Sequence, residues 1–398
     1  MSKRMEQRQK MSQEQKSGNN DGVSEEQYSA VQHNDSELAV LGQWSLMWLR
    51  FRKHRLALIG GVIVAFFYFV AIFAEFLAPQ TPFEYSAAHP YAPPQSVRLF
   101  LRDDNGLQFL PHVVGYTTEV DPVSWRRVFV EDESIIIPLG FFVEGPVTYR
   151  LLGFIPMNRH FFGTKTPGAP FFPLGADRLG RDLLTRIIYG TRVSMTIGLV
   201  GVALSLILGV ILGGASGYFG GWVDNLIQRI IEFLQSIPSI PLWMALAAAI
   251  PQGVDPLMVY FLITVILSIL GWTGLARVVR GRFYSLKTED FVIAARVDGC
   301  SDFRIIMRHM VPSFMSHIIA TITLAVPSMI IAETSLSFLG LGLRPPVVSW
   351  GVLLQQAQSI RVVATAPWVM LPGLPVVIVV LGFNFLGDGL RDAADPYS

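Results

Sequence analysis

The sequence predicts an all-α polytopic membrane protein of six spans, with a small β-rich external domain between helices 1 and 2. Three observations carry that expectation: long uncharged apolar runs, a basic cluster just before the first run, and an aromatic-rich stretch between the first two. Of 398 residues, 51% are hydrophobic and 15% charged, whereas a soluble domain carries roughly 25% charged residues. The missing charge is concentrated in a few runs, as membrane spans require. A net charge of +1 gives no basis for binding nucleic acid or an acidic substrate. Cys300 is the sole cysteine, so no internal disulfide and no cysteine metal cluster can form. It reads as a small structural residue.

Spanning the bilayer takes ~20 mostly apolar residues. Six segments qualify: 56–77, 193–215, 233–250, 257–275, 312–332 and 366–386. The third is the least regular, with Arg229 and Glu232 crowding its start. Residues 1–49 are read as a disordered cytoplasmic tail; 1–40 are rich in Gln, Ser, Asn and Glu and lack the apolar core of a secretory signal. Residues 50–78 are the first span with its basic flank, 79–192 an external domain, and 193–398 a five-helix core. Four of the six residues from Arg50 to Arg55 are Arg or Lys, which holds the N-terminus in the cytoplasm. Six spans then return the C-terminus to the same side. The segment 276–311, between spans four and five, carries seven basic residues against four acidic ones, in agreement.

Within the external stretch, Ile135 to Val143 is apolar but too short to span and reads as a buried strand. Gly145-Pro146 marks a turn before Val147 to Phe154. The aromatic residues supply mass for a core. Prolines recur in the later spans: Pro238 and Pro241 in the third, Pro327 in the fifth, Pro372 and Pro375 in the sixth. Proline removes a backbone hydrogen bond and kinks a helix, which suits helices lining a pathway, although proline is also common in membrane helices generally. His317, inside span five, is an intramembrane ionisable group and joins this set; its place five residues after Pro312 suits the cytoplasmic interface equally. Glu75 and Glu333 are read as interfacial charges at span ends.

No GxxxxGK[ST], HExxH or GxSxG motif and no paired His or Cys at metal spacing occurs. The sequence therefore points to transport, not catalysis. The most informative stretch is 288–312. Thr288 is a suitable N-cap with Glu289 and Asp290 in the first turn. Gly299 can supply a left-handed stop, Ser301 and Asp302 a second start, and Pro312 a boundary. Two short helices at an angle would present Ala294 and Ala295 as a small, flat surface. Periodicity alone serves two readings equally, a docking elbow for a soluble partner and an amphipathic loop on the membrane surface.

The stretch resembles the coupling loop of ABC importer permeases, whose pattern is Glu-Ala-Ala, three residues, Gly and a distant Leu-Pro. Ala294, Ala295, Gly299 and Pro312 match at that spacing; Ile293 stands where the family has Glu, and Val311 where it has Leu. Residues 173–182 (PLGADRLGRD), 217–224 (GYFGGWVD), 335–342 (SLSFLGLG) and 383–392 (FNFLGDGLRD) resemble segments of the dipeptide/oligopeptide group, in the same order. Residues 95–172 and 1–40 depart from it. The resemblance implies six helices of the type I importer kind in the bacterial inner membrane, and a heterodimeric pore made with a second homologous permease. It further implies two cytoplasmic ATPase subunits that bind ATP and Mg, this chain holding no cofactor, and an external peptide-binding protein. Ala294, Ala295, Asp298, Gly299 and Pro312 would couple to the ATPase. Nickel or nucleoside substrates are the alternative within the family; a channel or secondary carrier is the alternative outside it. Trp125, Arg126 and Arg127, in the unexplained insert, are expected as a receptor contact; a structural cap over the pore mouth is the competing reading of that insert.

Overall fold

A computed structural model describes residues 43–394, apart from 104–105, 121, 123–126, 167 and 252. The expected receptor contacts Trp125 and Arg126 therefore lie outside the described residues. Residues 43–49, expected to be disordered, instead form the start of helix α1 (Gln43–Lys53), in which Trp48 and Phe51 stack at 5.9 Å. The sequence ahead of Arg50 is apolar enough to wind a helix, and three basic residues close its last turn, where the helix dipole favours them.

Helix α2 (Arg55–Ile72) is the first span, followed by the single turn α3 (Ala74–Leu77). His54 caps α2, its Nδ1 accepting from the Ala57 amide at 3.1 Å. Four antiparallel strands come next in a simple meander: β1 (Arg98–Asp103), β2 (Gly106–Val120), β3 (Arg127–Leu151) and β4 (Ile155–Thr164). β3 runs straight through the expected turn at Gly145-Pro146, with a register shift between Glu144 and Tyr149. Gly145 lies against the His160 ring, and any side chain there would collide with it. The chain reverses at Leu152–Gly153 instead, both with positive φ. Ile135–Val143 is only half-buried: Ile137 and Leu139 pack with Val113 and Phe171, while Phe141 and Phe142 are exposed. Ile137 and Leu139 share one face by strand alternation, and the cover over that face ends before Phe141.

Helix α4 (Leu183–Phe219) begins inside the stretch expected to be external, and so takes in Arg186 and Arg192. Both guanidiniums are neutralised. Arg186 pairs with Asp177, and Arg192 pairs with Glu75 while donating to the Ala71 and Ile72 carbonyls at the end of α2. The third expected span is not one helix: α5 (Gly221–Ser236) and α6 (Ser239–Ala248) meet at 87°. Pro238 stands at that break and Pro241 in the first turn of α6, where a missing N–H costs nothing. Then come α7 (Pro256–Leu286), α8 (Asp290–Val297), α9 (Met315–Phe338), α10 (Trp350–Leu354), α11 (Ile360–Thr365) and α12 (Gly373–Ala394). Pro327 alone of the expected kink residues sits in a helix body; Pro372 precedes α12 and Pro375 lies in its first turn. Among the described residues, five helices are long and apolar enough to cross a membrane, or six if the bent pair counts as one span.

The helical core gathers around α4. Met195, Ile197, Ile263, Leu267, Ile330 and Trp350 are fully buried in one cluster. α4 and α7 approach closely: a Cβ on Gly213 or Gly217 would strike the α7 backbone at Ala276 or Arg280. Small residues permit such contacts, which replace the hydrophobic effect as the drive for association in lipid. Glu333, expected at an interface, is instead completely buried in α9. Its carboxylate accepts from the Ser337 and Ser349 hydroxyls at 2.8 Å each, with Ser194 Oγ at 3.4 Å. Ser194 Oγ in turn accepts from the Trp350 amide. A buried carboxylate is tolerated only when its lone pairs are filled, and here they tie α4, α9 and α10 together.

Gly213→Ala should lower the unfolding midpoint in detergent, a loss of about 1–3 kcal/mol by overpacking. Gly274→Ala, which has open space around it, should not lower the midpoint, since alanine is the better helix former.

Candidate functional site

The segment between α7 and α9 is a built elbow. Glu289, not Thr288, is the N-cap of α8, and Thr288 instead donates its hydroxyl to the Ser285 carbonyl at 3.0 Å. α8 ends on Asp298, and Gly299 follows with φ of +74°. The Gly299 amide donates to Arg296 O and the Cys300 amide to Ala295 O, both at 3.1 Å. This is the Schellman arrangement, which only a left-handed residue closes. Cys300 packs against the cluster holding Ala295, which accounts for it as a structural residue. Ser301 then precedes a helical turn (Asp302–Arg304), a π-helical stretch (Ile305–Met310) and a turn at Val311–Ser313 that contains Pro312. Phe314 breaks the path before α9.

Ala294 and Ala295 do not share a surface. Ala294 is exposed, whereas Ala295 is buried with Val292 against Phe283, Ile305, Met310 and Phe314. At 100° per residue, neighbours on a helix cannot face the same way. Ala295 thus seats the elbow, and its smallness lets α8 lie close on the end of α7. The outward surface is apolar: Val297 is 82% exposed and Phe303 74%, with Phe291, Ile293 and Met307 also exposed. Asp298 and Pro312 are exposed.

One side chain from α4 pins the elbow. The Tyr218 hydroxyl donates to Asp302 Oδ1 at 2.5 Å, while Arg296 and Lys287 lie over its ring at 5.7 and 5.9 Å. Beside it, Arg280 of α7 forks onto the Asp224 carboxylate of α5 with two bonds of 2.6 Å. Such a bidentate pair fixes geometry as well as charge. Sequence reading missed Tyr218, Arg296 and Asp302, because the pairing joins residues far apart in the chain. The exposed Val297 and Phe303 were visible as apolar residues among charges, the only available signal.

The expected pathway residues differ in exposure. Pro238 and Pro241 are exposed at the α5–α6 break, Pro327, Pro372 and Pro375 are buried, and His317 is half-buried near the start of α9. A cleft of about 350 Å³ is lined by Ile250, Pro256, Arg344, Pro345 and Val347 among others, and by none of those six. Arg127 is exposed at the start of β3. At the opposite end of α4, Asp177 accepts from the Leu179 and Arg181 amides and from the Arg181 side chain at 2.8–3.0 Å. Burial alone would push the Asp177 carboxyl up, but Arg186 and Arg181 outweigh it and hold the group below the ordinary carboxylate range. Among the described residues no group of three or more His, Cys, Asp or Glu is placed to hold a metal.

Two family models match the chain. One, the binding-protein-dependent transport system inner membrane component, covers residues 205–397, and the other, the N-terminal TM domain of oligopeptide transport permease C, covers 42–94. The dipeptide transport system permease protein DppC of Bacillus subtilis is 34% identical over 278 residues, 69% of this chain and 84% of that one. The chain belongs to the binding-protein-dependent transport permease family. The DppC of Lactococcus lactis is 31% identical across 88% of this permease and 89% of its own length. The oligopeptide permease OppC of B. subtilis is 37% identical over 61% of this chain and 73% of that one.

Tyr218→Phe keeps the ring but removes the bond to Asp302. It should cost about 1 kcal/mol, at the low end for a charged acceptor because Asp302 is exposed. Hydrogen exchange in residues 290–313 should quicken accordingly, with exchange in α7 unchanged.

Proposed function

We propose that this chain is one half of the heterodimeric pore of an ATP-driven importer of peptides. The observation that carries this reading is the elbow, which turns a rigid, apolar outward face away from its own core while resting on the ends of α4 and α7. A channel or secondary carrier has no use for such a surface. Family membership supports the importer class, and the dipeptide and oligopeptide names of the relatives support peptides as the substrate. In this reading the α5–α6 pair counts as one span of a type I importer arrangement, with both termini cytoplasmic and the sheet outside. Of the two ATPase subunits, which hold ATP and Mg, one grips Ala294, Val297 and Phe303, with Asp298 and Pro312 at the edge of the contact. Gly299 and Ala295 shape and seat the elbow. A second permease completes the pore, and an external peptide-binding protein delivers substrate to the face that includes Arg127. Closure of the ATPase pair moves the elbow, and the Tyr218 post passes that motion to α4.

Ala294→Asp and Val297→Asp each place a charge on the exposed surface. Both should cut co-purification of the ATPase subunits, and peptide uptake with it, by about tenfold or more (~1.4 kcal/mol per tenfold), with normal amounts of chain in the membrane. Wild-type uptake in both variants would show that the elbow is not the coupling site. Ala295→Asp, by contrast, buries a charge in the seat and should lower the amount of folded chain.

Orientation has its own test. With Cys300 replaced by Ser, a cysteine at Gly106 should react with an impermeant thiol reagent in spheroplasts, and one at Asn19 only after lysis. The reverse pattern would invert the topology.

A further inference from the structure

The foot of the sheet carries aromatic rings that, among the described residues, nothing else covers. Phe76, in α3, has its ring 6.1 Å from Phe142 and 5.8 Å from Phe161. Phe161 lies 5.6 Å from Phe141 and 5.9 Å from Phe142. Phe141 is 71% exposed, Phe142 57% and Phe161 37%. Successive strand residues normally point to opposite faces, yet Phe141 and Phe142 are both in the open. Phe142 has φ of +55°, a left-handed backbone that bulky side chains rarely adopt. Single exposed apolar residues are ordinary; a contiguous group, one member of it on an unfavourable backbone, is a feature with a partner.

The first span supplies a ruler for that partner. At ~1.5 Å per residue the rise from Arg55 to Glu75 is about 30 Å, the thickness of the hydrocarbon core. Arg192 meets Glu75 there and satisfies the last carbonyls of α2, so the ion pair marks the far membrane boundary. Phe76 is the next residue, and the rings of β3 and β4 rest on it. Val62, Phe66 and Phe69 recur at helical spacing on α2, and the Phe73 ring, at the junction with α3, lies 4.8 Å from that of Phe69. Val62, Phe66 and Phe69 are exposed, as lipid-facing residues of a span must be. Lys165 lies over Gly140 next to this group and is itself exposed. Phe side chains with a basic residue beside them suit the boundary between headgroups and acyl chains, the rings on its apolar side and the cation reaching the headgroups.

We propose that Phe141, Phe142 and Phe161 are seated in the bilayer interface at the end of the first span, with Lys165 at the lipid phosphates. The sheet is thereby anchored to lipid at its foot, beyond its covalent connections, and its tilt over the membrane is set by that contact. The assignment holds whichever side of the membrane the sheet occupies, and so stands apart from the transport reading. The test uses the full chain in vesicles of phosphatidylcholine and phosphatidylglycerol, with Cys300 replaced by Ser and one spin-labelled cysteine at Phe141 or, separately, at Phe161. At both sites collisions with oxygen should exceed those with a water-soluble nickel chelate. A label at Leu107, on the β1–β2 hairpin and 70% exposed, should show the opposite. Nickel access at Phe141 and Phe161 equal to that at Leu107 would overturn the proposal, because the rings would then face water. Protection from both reagents would overturn it too, in favour of a protein covering the rings.

Discussion

The close contact between α4 and α7 is the constraint from which the remaining arrangement follows. In lipid no hydrophobic drive pushes helices together, so close packing and polar pairs must do it. Gly213 and Gly217 remove the side chains that would hold the two backbones apart. Once α4 and α7 touch along this line, Arg280 reaches Asp224 and secures α5 to the same end. Tyr218, one residue beyond Gly217, then stands where the elbow returns to the helices. Phe283, near the end of α7, supplies the apolar floor for Val292 and Ala295. The elbow is therefore rigid because of a contact it does not itself make.

The opposite end of α4 is held by charge. Asp182 caps the helix by accepting from the Leu184 and Thr185 amides, and Asp177 takes up the buried Arg186. Arg192 ties α4 to α2, and Glu333 draws Ser194, Ser349 and Ser337 into one polar knot. Buried ion pairs contribute little net stability, yet removing one partner is expensive. Their effect here is to fix a unique register among four helices whose apolar surfaces could slide.

Much of the candidate site was legible because it is local. The left-handed stop at Gly299 needs only a glycine after a short amphipathic run, and the Schellman bonds follow from backbone geometry. The places of the prolines within their helices were not legible, for a matching reason. Their residue type says that an N–H is missing, but not whether the position is a first turn, where nothing is lost, or a helix body. Only Pro327 proved to be the latter. The same limit hid the division of labour between Ala294 and Ala295, since a two-residue pair cannot reveal which way the helix is rolled.

By itself the sequence determined that the chain enters the membrane, about where it does so, and that a helical elbow interrupts its charged loop. Those properties depend on runs of neighbouring residues: apolar length against bilayer thickness, cap chemistry, and the handedness allowed to glycine. The tertiary structure alone decided the 87° break between α5 and α6, the extension of α4 back to Leu183, the uninterrupted course of β3 and the burial of Glu333. Each of these depends on a partner distant in the chain. Arg192 is tolerable in a helix because Glu75 lies beside it, and Gly145 sits in a strand because the ring of His160 needs its space.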